Sequence, residues 1–247
     1  MTLSPEMLGI LAPAFIAGLI VASTHVPLGQ EVLKRGIIFI DLAVAQIAAL
    51  GVVFAHVIFQ AENDILSVLL ALAFALAAGG AFALLEKKAP QQLEAIIGSA
   101  FVVSASLTIL LLTHDPHGGE HMQDMLAGQV LWVDWPQLAI TGLIYAVLLG
   151  IWFSLKQKRE QLFYMIFPIA ITLSVQLVGV YLVFASLIIP ALGTVIYKDG
   201  TRLLIGYLIA ALSFACGLMV STWYDLPSGP VIVCAYPVFA LFLSLRK

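Results

Sequence analysis

The chain has no glycine-rich phosphate loop closed by Lys and Ser or Thr, no Gly-x-Ser-x-Gly and no His-Glu-x-x-His. ATP binding by a Walker A loop, serine-nucleophile hydrolysis and zincin chemistry therefore have no support, and the chain reads as no enzyme. Charge is scarce, with 10% of 247 residues charged against 62% hydrophobic, so no soluble domain fits beside the apolar part. Cysteine is limited to Cys216 and Cys234, both inside apolar runs, where they read as small packing residues rather than a disulfide. The basic residues are dispersed in pairs, which excludes a nucleic-acid-binding face.

What is present is a series of hydrophobic runs joined by short polar loops. Lysine and arginine occur only in alternate loops, as Lys34/Arg35, Lys87/Lys88, Lys156/Lys158/Arg159, Lys198/Arg202 and Arg246/Lys247. Cationic side chains resist translocation, so these loops are expected in the cytoplasm. The other side holds Glu6, Glu62, Asp64, Asp115, Glu120, Asp124, Asp134 and Asp225. About 20 apolar residues cross a bilayer core, which predicts an all-α, polytopic bundle of about eight to nine spans. They cover residues 7–22, 37–59, 65–85, 95–113, 137–155, 162–178, 179–197, 203–222 and 230–245, as a single transmembrane domain over 1–247. The N-terminus is then outside and the C-terminus in the cytoplasm. The first run is expected to be retained, with no cleavable signal peptide. The stretch 162–197 is too long for one ordinary helix, and Gln176 with Gly179 marks its turn.

The spans are built to pack against one another. Ala75, Gly79 and Ala83 place a small residue at every fourth position of the third run, which admits a close neighbour. Pro13, Pro168, Pro190 and Pro237 lie inside runs and free carbonyls that need other partners. That is the composition of a transporter or channel core rather than a tether.

Two groups of residues could carry chemistry. Asp41 lies about one turn into the second run, where a carboxylate at a span's centre costs about 2.5–3.5 kcal/mol and less near an end. It either lines a pathway, or it snorkels toward Lys34 or Arg35 or caps a helix. Gln46 is five residues on, about 140° around the helix, so the two do not share a face. The loop His114-Asp-Pro-His-Gly-Gly-Glu-His-Met-Gln-Asp124 holds three of the five histidines. His114, His117, Glu120, His121 and Asp124 offer imidazole and carboxylate suited to zinc, manganese or iron. The alternative is a solvated, turn-rich loop. His56, at the outer end of the second run, could join them. His25, before Pro27, reads as a capping or packing residue on the cytoplasmic side.

The run Gly179-Val-Tyr-Leu-Val-Phe-Ala-Ser-Leu-Ile-Ile-Pro-Ala191, preceded by Ser174-Val-Gln-Leu-Val178, resembles the late signature of metal-ion ABC transporter permeases. Pro27-Leu-Gly with Ala45-Gln-Ile-Ala-Ala-Leu-Gly51, Leu126-Ala-Gly-Gln-Val-Leu-Trp-Val133 and Tyr224-Asp-Leu-Pro-Ser-Gly-Pro230 are similar to further segments of that family. The resemblance implies a homodimeric permease in a bacterial cytoplasmic membrane. It implies two cytoplasmic ATPase partners and an extracytoplasmic metal-binding protein. It implies no permanently bound cofactor and a divalent metal as substrate, zinc before manganese or iron. The runner-up cargo is a metal chelate or another small solute, and a third reading is a non-transporting regulatory protein. The family's second span carries Asp and His four residues apart, on one helix face. Alignment on Gly51 places Leu42 and Gln46 at those positions, with Asp41 one residue early. The short connection 156–161 is a second departure, leaving little surface there for an ATPase.

Overall fold

The computed structural model describes residues 5–59, 64–113, 126, 128 and 130–245. Among them are nine α-helices: α1 (Pro5–Arg35), α2 (Ile40–Phe59), α3 (Asp64–Lys88), α4 (Leu93–Leu112), α5 (Trp135–Ser154), α6 (Arg159–Val178), α7 (Val180–Gly193), α8 (Asp199–Tyr224) and α9 (Ser228–Ser244). Each expected run holds one helix. Seven are long and apolar enough to cross a membrane, and α7 and α9 are shorter apolar helices. The molecule is a multi-pass, all-helical membrane protein.

The largest difference from the sequence reading is α1, which continues past Ala22 to Arg35. The polar residues that read as a stop are satisfied within the bundle. Ser23 and Thr24 donate to the carbonyls of Ile20 (2.6 Å) and Val21 (3.1 Å). Pro27 has no N–H, which leaves the Ser23 carbonyl without its helical donor. The Tyr207 hydroxyl of α8 donates to that carbonyl instead, at 3.1 Å.

α1 packs against α5, α6, α7 and α8, while α2 packs against α3, α4, α6 and α7. Small residues set the closest approaches. A Cβ on Gly79 of α3 would lie 2.5 Å from the Tyr164 carbonyl oxygen of α6. One on Gly51 of α2 would lie 2.8 Å from the Leu70 carbonyl oxygen of α3. The outer helices turn large apolar side chains away from the bundle, including Val102, Val103 and Leu110 of α4 and Ile140, Leu143 and Val147 of α5.

A single residue, Gly179, separates α6 from α7, at φ 80° and ψ 163°. This is a conformation open to glycine and strained for any side chain. With 14 residues, α7 is about 21 Å long, short of the roughly 30 Å hydrocarbon core. The break therefore sits at membrane depth, where irregular backbone must be shielded by protein. Val178, Gly179 and Val180 are all buried. Gly128, at φ 73°, presses on this break, so that a Cβ there would meet the Val178 carbonyl oxygen and the Gly179 nitrogen. Val130 and Val133 then anchor the segment in the core while Trp132 stays exposed. Gly128→Val should therefore destabilise the protein by about 3 kcal/mol, from strain plus overpacking. Gly150→Ala, with open space around it, should change stability by less than about 0.5 kcal/mol. Thermal melting in detergent compares the two.

Among the described residues, lysine and arginine gather at one end of the bundle. Arg35 ties three helices there. It pairs with Glu31 at 3.0 Å and with Glu86 of α3 at 2.8 Å, and its guanidinium lies 4.7 Å from the Phe163 ring centroid of α6.

Candidate functional site

Beside the break between α6 and α7 lies a cavity of about 180 Å³. Its walls are Leu42, Gln46 and Ala49 of α2, Phe101, Ala105 and Ile109 of α4, Leu126, and Val180 and Tyr181 at the start of α7. Residues 42, 46 and 49 recur at helical spacing and form one face of α2. Gln46, 6% exposed, supplies the amide of an otherwise mostly apolar lining. Such a chamber can hydrogen-bond a ligand and exclude bulk water, but its described walls offer no carboxylate, imidazole or thiolate.

Asp41 does not line this cavity. It is fully buried on another face of α2, and neither carboxylate oxygen has a hydrogen-bond partner of good geometry. The groups acting on it are the backbone N–H groups of Asp41 and Leu42 and the charge of Glu94. Glu94 occupies the first turn of α4 and accepts from the Phe39 N–H at 3.2 Å. Both acids thus sit where a helix start favours negative charge. His56 is exposed in the last turn of α2, at the end away from Arg35. His114, His117, Glu120, His121 and Asp124 lie outside the described residues. Among the described residues, no three His, Cys, Asp or Glu side chains come together as a metal site.

The polar centre is His25, where the packing reading holds, the capping one does not, and the hydrogen-bond network around it was not foreseen. It is fully buried within α1 rather than at its end. Its Nδ1 lies 2.7 Å from Ser186 Oγ of α7, and its Nε2 lies 2.9 Å from Ser174 Oγ of α6. Ser174 Oγ is 2.5 Å from the Tyr145 hydroxyl of α5, which donates to the Ala170 carbonyl at 2.6 Å. Ser186 donates to the Val183 carbonyl at 2.9 Å. Ser186 has one hydrogen and directs it to Val183, so it must accept from Nδ1–H. Full burial favours the neutral ring, in which Nε2 accepts from Ser174 and Tyr145 shares its hydrogen between Ala170 and Ser174. A neutral imidazole thereby fastens α1, α5, α6 and α7 together at the bundle centre. The signal in the sequence is a histidine within a long apolar stretch; ending the span at Ala22 hides it.

At the basic end, the turn 194–198 between α7 and α8 buries Thr194, whose hydroxyl donates to the Pro190 carbonyl at 2.7 Å. It exposes Val195 and Ile196 next to exposed Leu192. Lys198 and Arg202 follow this apolar surface directly in the chain.

Comparison with known proteins gives concordant results. The profile of the ABC 3 transport family matches residues 7–160 and 156–247. The high-affinity zinc uptake system membrane protein ZnuB of Haemophilus influenzae is 24% identical over 264 residues, spanning 98% of this chain and 99% of that one. Among solved structures, PsaBC from Streptococcus pneumoniae in complex with Fab superposes with a TM-score of 0.74 at 19% identity, covering 96% of this chain and 93% of the other. An inward-facing transporter described as of the metal-chelate type superposes with a TM-score of 0.73 at 17% identity, covering 100% and 91%. At these identities the structural matches establish a shared fold.

Proposed function

Because the chain belongs to the ABC 3 transport family, we propose that it is the permease subunit of an ATP-binding-cassette importer for a divalent metal ion, zinc before manganese or iron. The observation that carries this reading is the family match along nearly the whole chain, and full-length similarity to a zinc uptake protein supports the choice of metal. Two copies would form the pathway, with the basic end in the cytoplasm. A separate ATPase would dock on the surface around Leu192, Val195 and Ile196 and supply the hydrolysis. That surface replaces the one the short 156–161 connection lacks. An extracytoplasmic binding protein would deliver the metal. His114, His117, Glu120, His121 and Asp124, with His56, would receive it at the outer mouth, and Gln46 would line the route below. Asp41 would act through the start of α2.

One observation favours a second cargo. Bare divalent ions of this class are held by imidazole, carboxylate or thiolate, and the cavity at Gln46 offers an amide among apolar side chains. A metal that keeps its own ligands, as a chelate, would suit that lining better.

Vesicles carrying the permease with its ATPase should accumulate zinc only when ATP is supplied. A chelated metal that outcompetes the free ion would move the assignment to the second cargo. ATP turnover and accumulation unchanged by every metal and chelate tried, with the ATPase bound, would remove the transport reading.

A further inference from the structure

The basic end contains a second, larger cavity of about 520 Å³ between α1, α5, α6 and α8. Lys34 comes from α1, Arg159 from α6 and Arg202 from α8, so three cations from three helices converge on one concavity. Glu31 also lines it, but its carboxylate is held by Arg35 Nε at 3.0 Å. Arg159 is fixed in place. Its Nε donates to the Trp152 carbonyl at 3.1 Å, and its guanidinium lies 5.2 Å from the Trp152 ring centroid. That leaves the terminal nitrogens of a planar, pre-oriented fork for a ligand. Gln30 lines the same space, and its Nε2 is buried without a hydrogen-bond partner.

Cations at loop ends set topology without needing a concavity, an immobilised arginine or a stranded amide donor. We propose that this cleft binds a phosphate-bearing anion, the headgroup of an acidic phospholipid. Arginine forks match phosphate oxygens in a way that a lone ammonium does not. Basic pockets between the cytoplasmic ends of membrane helices suit lipid headgroups. The cleft lies where spans end, and exposed Phe153 with Leu203 in its wall offers apolar contact to an acyl chain.

The test uses the full chain in nanodiscs of phosphatidylcholine alone or with added phosphatidylglycerol. Native mass spectrometry reads retained lipid and thermal melting reads protection. The wild-type protein is expected to retain phosphatidylglycerol and to melt higher in its presence. Lys34→Gln should weaken retention about fivefold, and Arg159→Gln about tenfold. Lys87→Gln, outside the cleft, should match the wild type. Protection by inorganic phosphate in phosphatidylcholine discs, equal to that by phosphatidylglycerol, would assign the site to free phosphate and overturn the lipid source. Equal retention by the wild type and both cleft variants would overturn the site. Loss of ATPase binding in those variants with lipid retention unchanged would also overturn it, giving the cleft to an acidic side chain of the partner.

Discussion

Replacing Leu42 by Asp and Gln46 by His should give the cavity beside the α6–α7 break a tight divalent-metal site. Positions four apart on α2 lie on one face, with Cβ atoms about 5–6 Å apart, and both already line the same chamber. A carboxylate and an imidazole there supply two direct zinc ligands. Loss of hydrogen-bonded partners behind metal ligands changes affinity by about 10–100-fold, so two new ligands should raise zinc affinity by about a hundredfold or more. The sign of the stability effect depends on metal. Without zinc, a carboxylate in an apolar chamber should lower the melting temperature, because an intramembrane acid costs about 2.5–3.5 kcal/mol. With zinc the loss should reverse. Calorimetric titration and metal-dependent melting of the purified variant measure both. Each single variant should gain far less than the pair. A wild-type protein that already binds free zinc through this cavity as tightly as the double variant would show a ligand set the described walls do not contain.

The second large effect concerns His25. His25→Leu should lower stability by about 2–4 kcal/mol and lower ATP-driven uptake with it. The ring is fully buried and bridges Ser186 and Ser174 through its two nitrogens. Leaving a buried donor or acceptor without its partner costs about 1–3 kcal/mol. Ser186 keeps the Val183 carbonyl and Ser174 keeps Tyr145, which holds the total below that of two fully orphaned groups. Tyr145→Phe removes a peripheral link and leaves both contacts of the imidazole, so it should cost about 1 kcal/mol. A melting temperature unchanged by His25→Leu would mean that the imidazole does not join the four helices.

Much of the architecture was readable from local composition. Each apolar run became one helix, and the 162–197 stretch divides at Gly179, which adopts the positive φ that glycine permits. The small residues on α3 foretold a close neighbour, realised where Gly79 meets Tyr164. The end of α1 was not readable. Ser23, Thr24, His25 and Pro27 look like a stop; the two hydroxyls are satisfied within the helix itself, but the carbonyl freed by Pro27 and the His25 ring find their partners, Tyr207, Ser174 and Ser186, over a hundred residues away. The face of α2 was readable as an angle: Asp41 and Gln46 point apart. Which of them meets open space depended on where α4 and α7 lie.

The sequence alone therefore determined which apolar runs are helices among the described residues, the segregation of positive charge to alternate loops and the site of the mid-chain break. These follow from solvation and backbone preference, which are properties of neighbouring residues. Only the tertiary structure decided that His25 has partners, that Leu42 and Gln46 share a chamber, and that Lys34, Arg159 and Arg202 meet in one cleft. Those depend on which helix faces touch, and such contacts are fixed by packing between residues far apart in the chain.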